Sequence, residues 1–133
     1  MKELLKKRIL VLDGAMGTAI QGHHLTAADF GGTELEGCNE NLVLTRPDII
    51  QGIHESYLKA GCDIVETNTF GATPLVLEEY GLGAKAYEIN VAAARLAKKA
   101  CEKHETAERQ RFVAGSIGPT TKAISVTGGV TFE

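Results

Sequence analysis

Tryptophan is absent from this chain, and four phenylalanines and three tyrosines supply only 5% aromatic residues. Single-stranded nucleic acid is held by aromatic stacking along a basic groove. The groove is missing as well: 14 Lys and Arg against 17 Asp and Glu leave a net charge of −3, with no basic cluster. Nucleic acid is therefore not the expected partner, whereas a small anionic or zwitterionic one stays open. Long apolar runs are also lacking. No stretch approaches the roughly 18 to 20 apolar residues of a membrane span, and MKELLKKRIL has no apolar core of signal-peptide length, so no membrane partner and a cytoplasmic location are expected. Cysteine is scarce and unpatterned: Cys38, Cys62 and Cys101 are an odd set without CxxC spacing. That argues against a disulfide framework or a zinc knuckle and for free, buried thiols. His23, His24, His54 and His104 show no HExxH or similar spacing, so no residue of the chain is expected to ligate a metal. No Ser-His-Asp or Cys-His arrangement can be argued, so no catalytic residue is assigned either.

What the chain does have is a recurrence. Three short apolar runs break directly into small, polar, glycine-bearing tails: ILVLDGAMGT (9–18), DIVETNTFGAT (63–73) and RFVAGSIGPTT (111–121). Strands are expected at Ile9–Leu12, the first buried on both faces, at Asp63–Glu66 and at Arg111–Gly115. Between them the pattern is helical. Ala15 to about Gln21 makes a short helix stopped by Gly22. Residues 23–44 read as loop with one turn near Ala27–Phe30. A helix capped by Thr45, with Pro47 in its first turn, runs to Gly61 and buries Ile49, Ile50, Ile53, Tyr57 and Leu58. Pro74–Tyr80 gives two turns, and Ala84–Lys103 a longer helix with Ala86, Ile89, Ala93, Leu96, Ala97 and Ala100 on one stripe. The remainder, from Ser116 on, reads as extended loop. Connections this long exclude hairpins and argue for parallel strands in an α/β fold of a single domain; a doubly wound sheet and a barrel both remain open.

In parallel folds, ligands sit at the carboxyl ends of the strands. Asp13 would lie at the first such end, followed by Gly14, Ala15 and Gly17, which let a ligand approach the backbone. Amide donors there favour a carboxylate and Asp13 an ammonium, which together suit an amino acid. The alternative is that Asp13 only caps the next helix. Glu66, Asn68 and Thr69 offer a carboxylate, an amide and a hydroxyl at the second end, of which one parity can face a site. Loop solvation explains them equally. Ser116 and Thr120 flank the rigid Gly118-Pro119 turn at the third end. GxGxxG and GxxxxGK[ST] are both absent, against a dinucleotide or P-loop site.

From Arg8 onward, the ordered set VLDGAMGT, NENLVLTRPDII, IHESYLKAGCDIVETNTFGAT, AYEINVAAARLA and FVAGSIGPTTKAISVTGGVTFE resembles the amino-terminal homocysteine-binding domain of cobalamin-dependent methionine synthase, in the homocysteine S-methyltransferase family. The resemblance implies the amino-terminal part of a (β/α)8 TIM barrel, about three parallel strands with intervening helices over 1–133, the rest of the barrel lying beyond. It implies a 5-methyltetrahydrofolate–homocysteine methyltransferase of methionine biosynthesis, which moves a methyl group from methylcobalamin to zinc-activated homocysteine. Its amino-acid pocket maps onto Asp13, Gly14, Ala15, Asn68 and Thr69, with Asp13 on the ammonium and the backbone at Gly14 and Ala15 on the carboxylate. The family's zinc cysteines come from later strands, and none of Cys38, Cys62 or Cys101 matches them. The expectation is a piece that binds neither zinc nor cobalamin, is inactive alone, and partners with homocysteine and with the later strands, folate and cobalamin modules of the same enzyme. Open barrel edges could also let it self-associate. Two alternatives stay open: a homocysteine methyltransferase using betaine or S-methylmethionine, and a non-catalytic assembly module completed by a separate chain.

Overall fold

A computed structural model describes residues 1–122 of the chain. After a helical turn at Lys2–Leu5 (α1) come Met16–Gln21 (α2), Ala27–Phe30 (α3), Leu42–Thr45 (α4) and Pro47–Ala60 (α5). Strand Ile64–Glu66 (β1) leads to Pro74–Leu77 (α6), then Ala86–His104 (α7) and strand Phe112–Ala114 (β2). β1 and β2 pair in parallel, with Val65 opposite Val113. The α/β character and the parallel pairing expected from the long connections are both present.

The first expected strand is reduced. Residues 9–12 form one parallel bridge, Leu12 to Ile64, beside β1. The segment still runs along the sheet, because Asp63 and Ile64 donate to Val11 O at 2.7 and 3.1 Å and Asp13 N–H donates to Ile64 O at 2.9 Å. Its side chains are not buried on both faces, however: Ile9 is 86%, Val11 54% and Leu12 47% exposed. Burial on both faces needs layers on both sides of the sheet, and here the large helices cover one.

That covering comes from α5 and α7. Pro47 starts α5 where its missing N–H costs nothing. The expected Thr45 cap is not used. Thr45 closes α4, and Arg46, kept out of the helical conformation by the following proline (φ −134°, ψ 57°), occupies the cap position and pairs with Asp29 and Asp48. Gly61 ends α5 at φ 110°, a left-handed turn that suits glycine, and the N–H groups of Gly61 and Cys62 both return to Tyr57 O at 3.1 Å.

α7 begins at Ala86, because Gly83–Lys85 winds as a separate 3-10 turn. Its stripe of Ala86, Ile89, Ala93, Ala97 and Ala100 is buried, with Leu96 at its margin. Alanines bring the helix backbone close to the sheet, where Ala97 and Ala100 join Leu58, Cys62, Val65 and Cys101 in one apolar cluster. A larger side chain at Ala97 would cost about 1–3 kcal/mol by overpacking. The main cluster, centred on Leu42, Ile50, Leu77 and Ile89, joins the short helices to α5 and α7.

Residues 23–44 hold more order than loop chemistry suggests. Thr26 donates its N–H and hydroxyl to Asp29 at the start of α3, and Gly31 ends that helix at φ 104°. Turns this short leave no period to detect. The extended stretch expected from Ser116 to the end is described only to Lys122; the rest lies outside the described residues.

Candidate functional site

The carboxyl ends of β1, β2 and the 9–12 segment converge on one cavity of about 410 Å³. Asp13, Gly14, Ala15, Met16 and Gly17 line it from the first end, Glu66, Thr67, Asn68 and Phe70 from the second, and Ser116 from the third. Asn39 and Glu40, from the turn before α4, complete the wall.

Asp13 is fixed by the sheet. Both of its carboxylate oxygens accept the Glu66 N–H, at 3.1 and 3.0 Å. Packing around it withdraws water and pushes its pKa up to about 6, with the Glu66 charge adding to the rise and the Glu66 N–H opposing it. Ala15 caps α2 through its backbone alone, so no side chain competes for the first amides of that helix. The cavity thus presents a carboxylate beside backbone donors, as an amino acid's ammonium and carboxylate require.

Gly14 is a close approach. A Cβ there would sit 3.0 Å from Tyr57 Cε1 and 3.1 Å from its hydroxyl oxygen. That hydroxyl donates to Ala15 O at 3.3 Å, so α5 braces the turn that carries Asp13.

The second strand end does not keep one parity. β1 stops at Glu66, and the Thr69 N–H returns to Thr67 O at 2.8 Å. This tight turn lets Glu66, Thr67 and Asn68 all reach the cavity. Asn68 is buried, and its Nδ2 donates to Asn39 O at 2.7 Å, while its Oδ1 accepts no hydrogen bond among the described residues. Thr69 is not on the wall. Its hydroxyl donates to Ser116 O at 2.8 Å, so the 2.6 Å contact with Thr67 makes Thr67 the donor there. Ser116 N–H donates to Thr67 Oγ1 at 3.1 Å and closes the ring. Thr69 therefore ties the second strand end to the third from beneath the cavity. Ser116 reaches the cavity; Thr120 does not, and donates to Lys122 O at 2.6 Å.

No sequence pattern marks Asn39, Glu40, Tyr57 or Phe70 as site residues. Asn39 and Glu40 sit in a stretch without period, and Tyr57 falls on the apolar stripe of α5, so spacing marks it as core. Phe70 lines the cavity yet is 60% exposed, with its ring and carbonyl against Gly118, whose N–H donates to Phe70 O at 2.8 Å.

The donor set for a metal is absent among the described residues: no three His, Cys, Asp or Glu side chains gather around a point. Cys38 lies in the main core, away from Cys62 and Cys101, and burial raises all three thiol pKa values. Metal-binding thiols need the opposite shift.

Fold and cavity together define an α/β protein with a pocket of mixed polar and apolar lining at the ends of parallel strands. The family model for homocysteine S-methyltransferase matches residues 10–133, and the chain belongs to that family. Two solved structures of the homocysteine methyltransferase MmuM from Escherichia coli are similar to it. The oxidized form shares 30% identity at a TM-score of 0.73, and the match covers 89% of this chain and 40% of that one. The metallated form shares 28% identity at a TM-score of 0.73, covering 89% and 41%. The chain thus spans well under half the length of either.

Proposed function

We propose that this chain supplies the amino-acid-gripping wall of a homocysteine methyltransferase. The observation that carries the reading is the pairing, in one cavity, of a sheet-anchored Asp13 with the uncapped backbone donors at the start of α2. Asp13 takes the ammonium of homocysteine, the amides near Gly14 and Ala15 take its carboxylate, and the free Oδ1 of Asn68 offers the ammonium a second acceptor. Thr69 acts from below, holding the second and third strand ends in register. The segment 9–12, β1 and β2 are the first three strands of an eight-stranded barrel, and residues 1–133 are one part of that domain; the 40% coverage of MmuM supports this.

Methyl transfer to a thiol needs a thiolate, and a bound zinc lowers the thiol pKa when present. The described residues do not fit that ion, so no step of the reaction is assigned to them beyond binding and orienting the acceptor. The order of motifs supports methionine synthase with methylcobalamin as donor. The likeness to the homocysteine methyltransferase MmuM is equally compatible with a second reading, another homocysteine methyltransferase, with betaine or S-methylmethionine as donor. Assaying the complete enzyme carrying this segment with methylcobalamin, betaine and S-methylmethionine separates the two.

The binding role is tested by calorimetric titration of the chain with L-homocysteine, with 4-mercaptobutyrate (no ammonium) and with 3-mercaptopropylamine (no carboxylate). Homocysteine should bind at least about tenfold tighter than either, one good ionic contact being worth that much. Equal affinities for all three would overturn the reading.

A further inference from the structure

We infer that Glu40 is a positioning residue for this cavity: it latches the loop after β1 so that Asn68 faces Asp13. The inference rests on the proposed reading only for the identity of the ligand.

Glu40 Oε1 accepts the Gly71 N–H at 2.8 Å, a bond strengthened by the carboxylate charge. The adjacent Asn39 accepts from Asn68 at 2.7 Å through its carbonyl. Two neighbouring residues of one turn therefore hold two points, three residues apart, on the loop that forms the second strand end. The fit at the latch is tight. A Cβ on Gly71 would lie 2.9 Å from Glu40 Oε1 and 3.3 Å from Val76 Cγ1, so a side chain there obliges the carboxylate to shift away from its bond to the backbone. Asn68 has its amide nitrogen committed to Asn39, which turns its oxygen to the cavity. If the loop slid, the oxygen would lose that direction. The far side of the loop is secured by the Thr67–Thr69–Ser116 ring and by Gly118 on Phe70, so Glu40 is the one acidic side chain that anchors it among the described residues. Its second oxygen accepts no hydrogen bond among the described residues and adds negative charge to a wall that already carries Asp13 and Glu66.

The test compares Glu40→Ala, Glu40→Gln, Gly71→Ala and the double variant Glu40→Ala/Gly71→Ala in the full chain, with two readouts. The first is affinity for L-homocysteine. Glu40→Ala and Gly71→Ala should each weaken it about tenfold, and the double variant no further, because both remove one latch. Glu40→Gln, which still offers Gly71 a carbonyl acceptor, should recover affinity to within about threefold of the parent. The second is amide hydrogen exchange and the Asn68 side-chain NH₂ resonance. Glu40→Ala should speed exchange at Gly71 and shift the Asn68 signal. Unchanged Gly71 exchange in Glu40→Ala overturns the latch, as does a Glu40→Gln variant as weak as Glu40→Ala, which would make the residue a charge alone. If the parent chain does not bind homocysteine, the proposed function fails, while Gly71 exchange and the Asn68 signal still decide the role of Glu40.

Discussion

The Asp13 carboxylate spans the gap between two strand ends by taking the Glu66 N–H on both of its oxygens, at 3.1 and 3.0 Å. The bond anchors it, but desolvation outweighs the bond and leaves the acid titrating near pH 6. Its folded pKa exceeds its unfolded one, so its contribution to stability is complete below about pH 4 and is lost as pH rises through 6. At pH 7.5 the protein therefore carries a charge that its fold disfavours. Asp13→Asn keeps an acceptor for Glu66 and should raise stability by about 1–2 kcal/mol at that pH, after allowance for the part that solvent screens. Homocysteine affinity should fall at least about tenfold in the same variant. Denaturant unfolding at pH 5 and 7.5 checks the first, with a gain at the higher pH about twice that at pH 5, where the folded acid still keeps most of its proton. Unchanged affinity would remove Asp13 from the ammonium.

His54 makes the opposite demand on pH. It is wholly buried in α5 with neither ring nitrogen hydrogen-bonded among the described residues, and burial lowers its pKa to about 4. The fold accommodates the neutral ring. Stability from this group is full above about pH 6.5 and falls as pH drops toward 4, by at most about 3 kcal/mol. His54→Leu should flatten that acid limb between pH 6.5 and 4.5 in thermal unfolding. An unaltered limb would mean the ring takes up its proton without cost.

Asp63 is the fully buried acid at the other end of β1. It accepts from Arg8 at 2.7 and 2.9 Å, from Arg109 at 3.3 Å and from Val11 N–H at 3.0 Å. Arg8 above all holds its pKa well below the usual carboxylate range. Asp63→Ala leaves two arginines and a backbone donor without their acceptor, and should cost about 2–4 kcal/mol, the arginines being able to turn to water. Chemical denaturation measures it. A loss below 1 kcal/mol would make the cluster an exposed pair in effect.

Gly14→Ala drives a methyl group into the Tyr57 ring, whose nearest carbon would be 3.0 Å away. Tyr57 must give by a few tenths of an ångström, which stretches its 3.3 Å bond to Ala15 O. A stability loss of about 1–2 kcal/mol should follow. Because the turn carries Asp13, homocysteine affinity should drop too, and Tyr57→Ala in the same chain should restore part of the stability. A Gly14→Ala protein with parental Tm would show that the ring moves freely.

Legibility in the sequence followed the length of the signal. α5 and α7 carry sustained apolar stripes and clear breakers, Pro47 and Gly61 among them, and were readable almost to the residue. Strands β1 and β2 were placed, though shorter than their apolar runs, because backbone pairing rather than hydropathy ends a strand. The 9–12 run misled for a related reason: four apolar residues look doubly buried whether or not a second layer covers them. In the cavity, Asp13, Gly14, Ala15 and Asn68 could be marked because they follow strands directly. Thr69 could be marked but not oriented, since a three-residue turn at Thr67–Thr69 breaks the strand alternation. Glu40 reaches the cavity, and Tyr57 the turn that carries Asp13, only through tertiary packing, which no local pattern encodes.

The Arg8–Asp63 cluster has a counterpart across the sheet. Arg8, Arg109 and Arg111 gather where the strands begin, the first two on the buried Asp63 and the third on the Cys62 carbonyl, whereas Asp13, Glu40 and Glu66 stand where they end. Three residues of strand are only about 10 Å long, close to the Debye length at 0.1 M salt. The sheet is in effect a short capacitor. On the proposed function, that field would turn an arriving amino acid ammonium foremost before it touches a side chain, and added salt should weaken the orientation while leaving the contacts themselves in place.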